Sequence, residues 1–186
     1  MRFVLASASP RRHELLKQVV PDFDIDPADI DEDAFTSADP VQTAETLALL
    51  KAKSVLVRHP DAVVIGSDTV VALPDGTQFT KPLDEQDAFE ILSSLRGRSH
   101  WVITGVAVVS ATNQLVGYDR TEVLFNPVSD QELRDYIATG EPMDKAGAYG
   151  AQGMGSFLVQ ELRGNFDTVV GLPIELTRRL VTELTQ

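Results

Sequence analysis

The sequence predicts an α/β protein with a mixed β-sheet flanked by helices, and three observations predict it. Short runs of β-branched and apolar residues alternate with amphipathic stretches of helical period along the whole chain. Helix-start signals recur at Ser9-Pro10, at Asp39-Pro40 and at Ser129 with Glu132. A hydrophobic content of 43% in 186 residues suffices for one sizeable core, so one domain over residues 1–186 is expected.

Taken in order, Arg2 to Ala6 reads as a short buried strand and Pro10 to Val20 as a helix capped by Ser9. Asp39-Pro40 opens a long amphipathic helix to about Arg58, with Leu47, Leu50 and Val55 on its apolar side. Ala62 to Ile65 and Thr69 to Leu73 are β-branched runs around Gly66-Ser67-Asp68, so Asp68 falls within or at the end of a strand. Pro74-Asp75-Gly76 is a turn. Asp84 can cap a helix to about Leu95, with Gly97 just beyond it. Trp101 to Val109 and Leu115 to Phe125 form a pair of strands, and a capping box precedes a helix over Leu133 to Ala138. Two strands are expected near Phe157 to Leu162 and Thr168 to Val170, then a last helix from about Pro173.

Composition narrows the chemistry. The absence of cysteine excludes disulfides, thiolate catalysis and zinc or iron–sulfur ligation by thiolate, and suits a reducing cytoplasm. The apolar stretch after Arg2 is too short for a signal sequence and no run reaches membrane-spanning length, so a cytoplasmic protein is expected. A net charge of −12 argues against polymeric nucleic acid or a membrane surface as partner, because both require a basic face. A small anion needs only a few converging cations, and Arg11, Arg12, Lys51, Lys81 and Lys145 lie in short distinctive segments.

Ser7-Ala8-Ser9-Pro10-Arg11-Arg12 sets two hydroxyls, backbone amides and two guanidiniums at a helix start, a phosphate cradle in composition. Read alone, a capped helix with solvent-facing arginines accounts for it equally well. Asp68 stands in a strongly apolar stretch, where an ionised carboxylate is costly unless paired with cations or a metal. It could act as general base on water or bind magnesium, and a strand-end turn is the plain alternative. Asp29, Asp31, Glu32 and Asp33 form an acidic loop that could give one carboxylate to a metal. Lys51 and Lys53 cannot share a helix face. Residues 145–155 hold a third of the chain's 12 glycines but interrupt them with Tyr149 and Gln152, which suits a loop closing on a flat ligand better than a flexible linker. His13, His59 and His100 have no metal-ligand spacing and receive no role.

Together, Ser7 to Arg12, Gly66-Ser67-Asp68-Thr69, Lys81-Pro82, Gly97-Arg98-Ser99-His100, Glu141 to Gly150 and Gly171-Leu172-Pro173 resemble, in order and across the whole chain, the Maf family of nucleoside triphosphate pyrophosphatases. The resemblance implies an elongated mixed α/β fold like that of inosine-triphosphatase-like enzymes. Arg11, Thr69 and Gln152 resemble the branch acting on dTTP and UTP; the sister branch, acting on 7-methyl-GTP, carries different residues at those positions, and a pyrophosphatase for such a nucleotide is the runner-up. The same resemblance implies Asp68 as proton acceptor for the attacking water, Ser7, Arg12, Lys51 and Lys81 around the triphosphate, and Glu32 near the metal. The chain departs from the family pattern at Leu50, Thr80 and Ala151, none of them charged. The expected reaction is attack of water on the α-phosphorus, giving monophosphate and pyrophosphate, with a divalent cation held by Glu32 and Asp68. Magnesium suits such oxygen ligands first, and manganese fits the same set. The expected partner is a small nucleoside triphosphate, and a homodimer is admitted but not required. The rival reading is a nucleotide-binding regulator of septum formation, the effect from which the family takes its name.

Overall fold

A computed structural model describes residues 1–186, apart from the side chain of Asp33. In chain order the elements are β1 (Phe3–Leu5), α1 (Pro10–Leu16), β2 (Asp24–Ile25), α2 (Pro40–Leu56), β3 (Val63–Ala72), β4 (Gln78–Phe79), α3 (Glu85–Leu95), β5 (Ser99–Val109), β6 (Gln114–Phe125), α4 (Asp130–Ile137), β7 (Val159–Arg163), α5 (Phe166–Val170) and α6 (Ile174–Thr185). They form one seven-stranded mixed sheet in the order β2-β1-β3-β5-β6-β7, with β4 added to the far end of β3. β1 pairs with β2 and β3 in parallel, and every other pairing is antiparallel.

The pleat of β3 assigns its side chains to two layers. Val64 faces the small-residue side of α2, packed with Ala48, Ala52 and Val55. Ile65 faces the opposite layer, with Leu16 of α1, Leu180 of α6 and Leu172. Continuing that alternation, Gly66 and Asp68 point toward α2, while Ser67 and Thr69 point toward α1 and the α5–α6 corner. A third cluster, around Leu92, Leu95, Phe125, Leu133 and Leu158, joins α3 and α4 to the other end of the sheet.

β3 runs straight through Gly66-Ser67-Asp68, so the two β-branched runs are one strand and Asp68 lies within it. The glycine is there because α2 crosses in contact with the strand: a Cβ on Gly66 would lie 2.2 Å from the Ala48 carbonyl oxygen and 2.8 Å from the Ala52 amide. The Gly66→Ala protein should therefore lose about 1–3 kcal/mol of stability through overpacking, and its turnover should fall with it because α2 carries Lys51. Denaturant unfolding and an activity assay check this; unchanged stability would contradict so close a crossing.

β1 pairs only with Val63–Ile65 and β4 only with Val71 and Ala72. Among the described residues no strand covers the Gly66–Val70 edge between them. The chain leaves β1 at Ala6, whose N–H still bonds the Ile65 carbonyl at 2.8 Å, and turns into α1 beside that opening.

Three local expectations change. The first helix ends at Leu16 and continues to Val20 only as turns. The strand expected from Phe157 begins at Val159, after a 3-10 segment over Gly153–Leu158. Thr168 to Val170 is helical, within α5. Its β-branched run is overruled by the residues around it: the Asp167 carbonyl accepts from Gly171 and Leu172, the Asp167 carboxylate accepts from the Ile174 amide at 2.7 Å, and the Thr168 hydroxyl bonds Asp119. No helix is long and apolar enough to cross a membrane.

Candidate active site

A cavity of about 660 Å³ opens beside the uncovered edge of β3. All nine side chains singled out in the sequence line it: Ser7, Arg11, Arg12, Glu32, Lys51, Asp68, Thr69, Lys81 and Gln152. They arrive from the β1–α1 corner, the loop after β2, α2, β3, the segment after β4 and the glycine-rich stretch.

On the α2 side, Asp68 is 6% exposed. The Lys51 ammonium reaches its Oδ1 at 2.5 Å and Oε1 of Glu32 at 2.7 Å. Burial pushes the Asp68 carboxyl above its ordinary value, against the opposing pull of Lys51 and Arg12. Burial also pushes Glu32 upward, but Lys51, by charge and hydrogen bond, and Lys81 and Arg12, by charge, together hold it below the usual range. Lys53 points to solvent, which settles which of the two lysines enters the site. In the acidic loop Asp29 and Asp31 are exposed, Glu32 turns to Lys51, and the Asp33 side chain lies outside the described residues.

Two carboxylates thus converge on one cationic position. Hard oxygen donors of that kind fit magnesium or manganese, which use one or two protein carboxylates and complete their shell with water and phosphate oxygens. Among the described residues no group of three or more His, Asp or Glu side chains gathers around a common point.

On the other side of the strand, Arg12 is braced from three directions. Its Nε donates to the Gly171 carbonyl at 2.8 Å, Nη2 to Thr69 Oγ1 at 3.1 Å and Nη1 to Ser7 Oγ at 3.5 Å. The helix start itself offers less than the sequence promised. The Ser9 amide donates to Ser7 Oγ and the Arg12 amide to Ser9 Oγ, so both hydroxyls fold back on the corner and the guanidinium is the group left facing the cavity. His13 bonds the Ser7 carbonyl at 2.9 Å, a bracing contact that its sequence position did not reveal.

The glycine-rich stretch is not a free loop. Glu141 accepts the amides of Met154 and Gly155, each at 3.0 Å, and the Tyr136 hydroxyl at 3.0 Å, while Tyr136 accepts from the Gly150 amide at 3.1 Å. Gly155 is required by closeness: a Cβ there would lie 2.4 Å from the Gly150 carbonyl oxygen and 2.5 Å from the Tyr136 hydroxyl. Tyr149 is buried below and meets His100 at 2.9 Å, and burial holds that imidazole down to about 4, hence neutral. Gln152 is left exposed at the cavity wall. The fixing role of Glu141 was missed, although an acidic residue 11 positions before Gln152, ahead of a run rich in free amides, is the trace it left. Arg11, on the rim, faces Asp144 at 3.9 Å.

An α/β protein with a buried carboxylate and five cations lining one cleft belongs to the class that binds small polyanions and can activate water beside them. The chain belongs to the Maf-like protein family, whose model matches residues 2–184. It is 45% identical over 182 residues to a dTTP/UTP pyrophosphatase of Symbiobacterium thermophilum, covering 98% of this chain and 93% of the relative. It is 44% identical over 185 residues to a dTTP/UTP pyrophosphatase of Aquifex aeolicus, covering 99% and 96%. Among solved structures, the Ham1 protein of Staphylococcus aureus shares the fold, with a TM-score of 0.55 at 14% identity over 100% of this chain and 96% of that one.

Proposed function

We propose that this protein hydrolyses dTTP and UTP to the nucleoside monophosphate and pyrophosphate, as the names of its full-length relatives suggest. The observation that carries the reading is Asp68, a buried carboxylate 2.5 Å from Lys51 in the same cleft as Arg11, Arg12 and Lys81. A water held beside Asp68 attacks the α-phosphorus: its oxygen bonds phosphorus, its proton passes to an Asp68 oxygen, and the α–β bridging oxygen leaves with pyrophosphate. Arg12, Lys51 and Lys81 offset the charge gathering on the leaving group, with Ser7 as a hydrogen-bond partner. Glu32 and Asp68 would hold a divalent cation, magnesium first or manganese, whose chemistry is neutralisation of phosphate charge. Arg11, Thr69 and Gln152 stand for the choice of nucleotide. We assign the protein to the cytoplasm, acting as a monomer or homodimer on free nucleotide, without polymeric nucleic acid.

Gln152 offers one amide donor and one acceptor, the complement of the ring N–H and adjacent carbonyl that uracil and thymine share. Cytosine presents the reverse pattern, an acceptor ring nitrogen beside a donor amine, and pairs with Gln152 only when the amide is turned over. With magnesium, UTP and dTTP should therefore exceed CTP in kcat/KM by at least about tenfold, and Gln152→Glu should narrow the ratio and favour guanine-type bases. The purified protein is assayed on UTP, dTTP, CTP and 7-methyl-GTP with the products identified. Release of diphosphate and phosphate, a preference for 7-methyl-GTP, or binding without turnover would each overturn the assignment.

A further inference from the structure

Thr104 lies in β5 directly opposite Thr69 of β3, is fully buried, and does not line the cavity. A buried hydroxyl in a strand that otherwise runs through Val102, Ile103 and Val106 must be hydrogen-bonded, and here its bonds have one solution. Thr104 Oγ1 is 2.7 Å from the carbonyl oxygen of Thr168, which can only accept, so the single Thr104 proton goes there. The 2.9 Å contact between the two threonine hydroxyls is then made with the Thr69 proton. With its proton committed to Thr104, Thr69 presents only lone pairs on its other side, and that is where Arg12 Nη2 donates at 3.1 Å. Reversing the Thr69 hydroxyl would set a donor against a donor.

The other anchor of Arg12 is equally determined. The Gly171 carbonyl accepts from Arg12 Nε at 2.8 Å and from Ser67 Oγ at 2.9 Å. A Cβ on Gly171 would stand 3.2 Å from Arg12 Nε. Both anchors run back to the same short helix, one through the Thr168 carbonyl and one through the turn that Asp167 closes.

We propose that Thr104 is a positioning residue for Arg12: by taking the Thr69 proton it fixes the Thr69 oxygen as an acceptor and so aims the guanidinium into the cleft. The proposal rests on the reading of Arg12 as a phosphate-binding cation. It gives Thr69 a part in orienting Arg12 and leaves it no proton to offer a ligand.

The test measures kcat and KM for UTP with magnesium in the parent, Thr104→Val, Thr104→Ser, Arg12→Ala and the Thr104→Val/Arg12→Ala double variant. Thr104→Val, which keeps the shape and removes the hydroxyl, should lower kcat/KM about tenfold, the worth of one charge-assisted hydrogen bond. Thr104→Ser should recover to within about twofold of the parent, and Thr104→Val should cost nothing further once Arg12 is alanine. A structural defect would instead multiply onto the Arg12→Ala loss, and that outcome overturns the proposal. So does a Thr104→Val protein with native kcat/KM where Arg12→Ala is impaired. If Arg12→Ala itself is unimpaired, the phosphate-binding reading of Arg12 fails first, and the positioning role falls with it. Should Thr104→Val not fold, Thr104→Cys, with its weak S–H donor, takes its place in the same cycle and should show an intermediate loss; native kcat/KM there counts against the proposal equally.

Discussion

The Asp68→Asn protein should still bind UTP but turn it over on the order of 10² to 10⁴ times more slowly. The amide has the shape of the carboxyl group and can keep a contact to Lys51 through its oxygen, but it cannot accept the proton of the attacking water. Product formation in a single turnover, set against equilibrium binding of UTP, separates the two effects; near-native turnover would remove Asp68 as the base. The same variant carries a stability signature. A carboxyl group whose pKa is higher in the folded protein than in the unfolded chain binds its proton more tightly when folded. Its contribution is complete below the unfolded value, near 3.8, and declines as pH rises through the raised folded value. In metal-free buffer the parent should therefore lose stability over that interval. Asp68→Asn, lacking the titration, should lose less and should melt no lower than the parent at pH 7. A parent whose stability rises over the same interval would mean that its ion pair with Lys51 outweighs burial.

Replacing Lys51 with methionine should be nearly as damaging. Lys51 is 11% exposed in its side chain and touches both Asp68 and Glu32, so its loss leaves two carboxylates facing each other without the cation between them. Breaking a buried pair by removing one partner typically costs about 3–5 kcal/mol, and here the cost is limited because Asp68 can take up a proton. That proton is what the reaction needs to be absent, so turnover at pH 7 should fall on the order of 10²-fold. The stability deficit should shrink as pH is lowered toward the ordinary carboxylate range, where Asp68 is neutral in both proteins. Urea unfolding at pH 7 and pH 5 measures it; an equal deficit at both would show that lost packing of the lysine stem, rather than charge, was responsible.

How much of this was legible in the sequence depended on whether a residue contradicts its surroundings. Asp68 could be found because a carboxylate in a run of valines is anomalous, and the arginines after Pro10 because two adjacent guanidiniums follow two hydroxyls at a helix start. Thr104 could not, since threonine is an ordinary strand former and its meaning lies in which atom opposite it holds a proton. Glycine marks both turns and close approaches, so the sequence left Asp68 within or at the end of a strand, and only the helix on top of Gly66 decides between them. The stretch at Thr168 was misread for the reverse reason: local β preference is weak, and contacts to Asp119 and the turn at Asp167 outweighed it. The two-residue strands at Asp24 and Gln78 are too short for any periodicity to show.

The bare edge of β3 makes the dimensions of the cleft a matter of strand length. Five residues, Gly66 to Val70, lie between the end of β1 and the start of β4. At about 3.3 Å per residue, that leaves a slot roughly 16 Å long in an otherwise continuous sheet. Each residue added to the carboxyl end of β1 would narrow the slot by one such step and carry the Ser7–Arg12 corner along with it. A relative that kept every charged side chain but lengthened its first strand would hold the same chemistry behind a closed door. Length variation at Ala6, more than substitution around Asp68, is therefore the change by which this architecture could gain or lose room for a ligand.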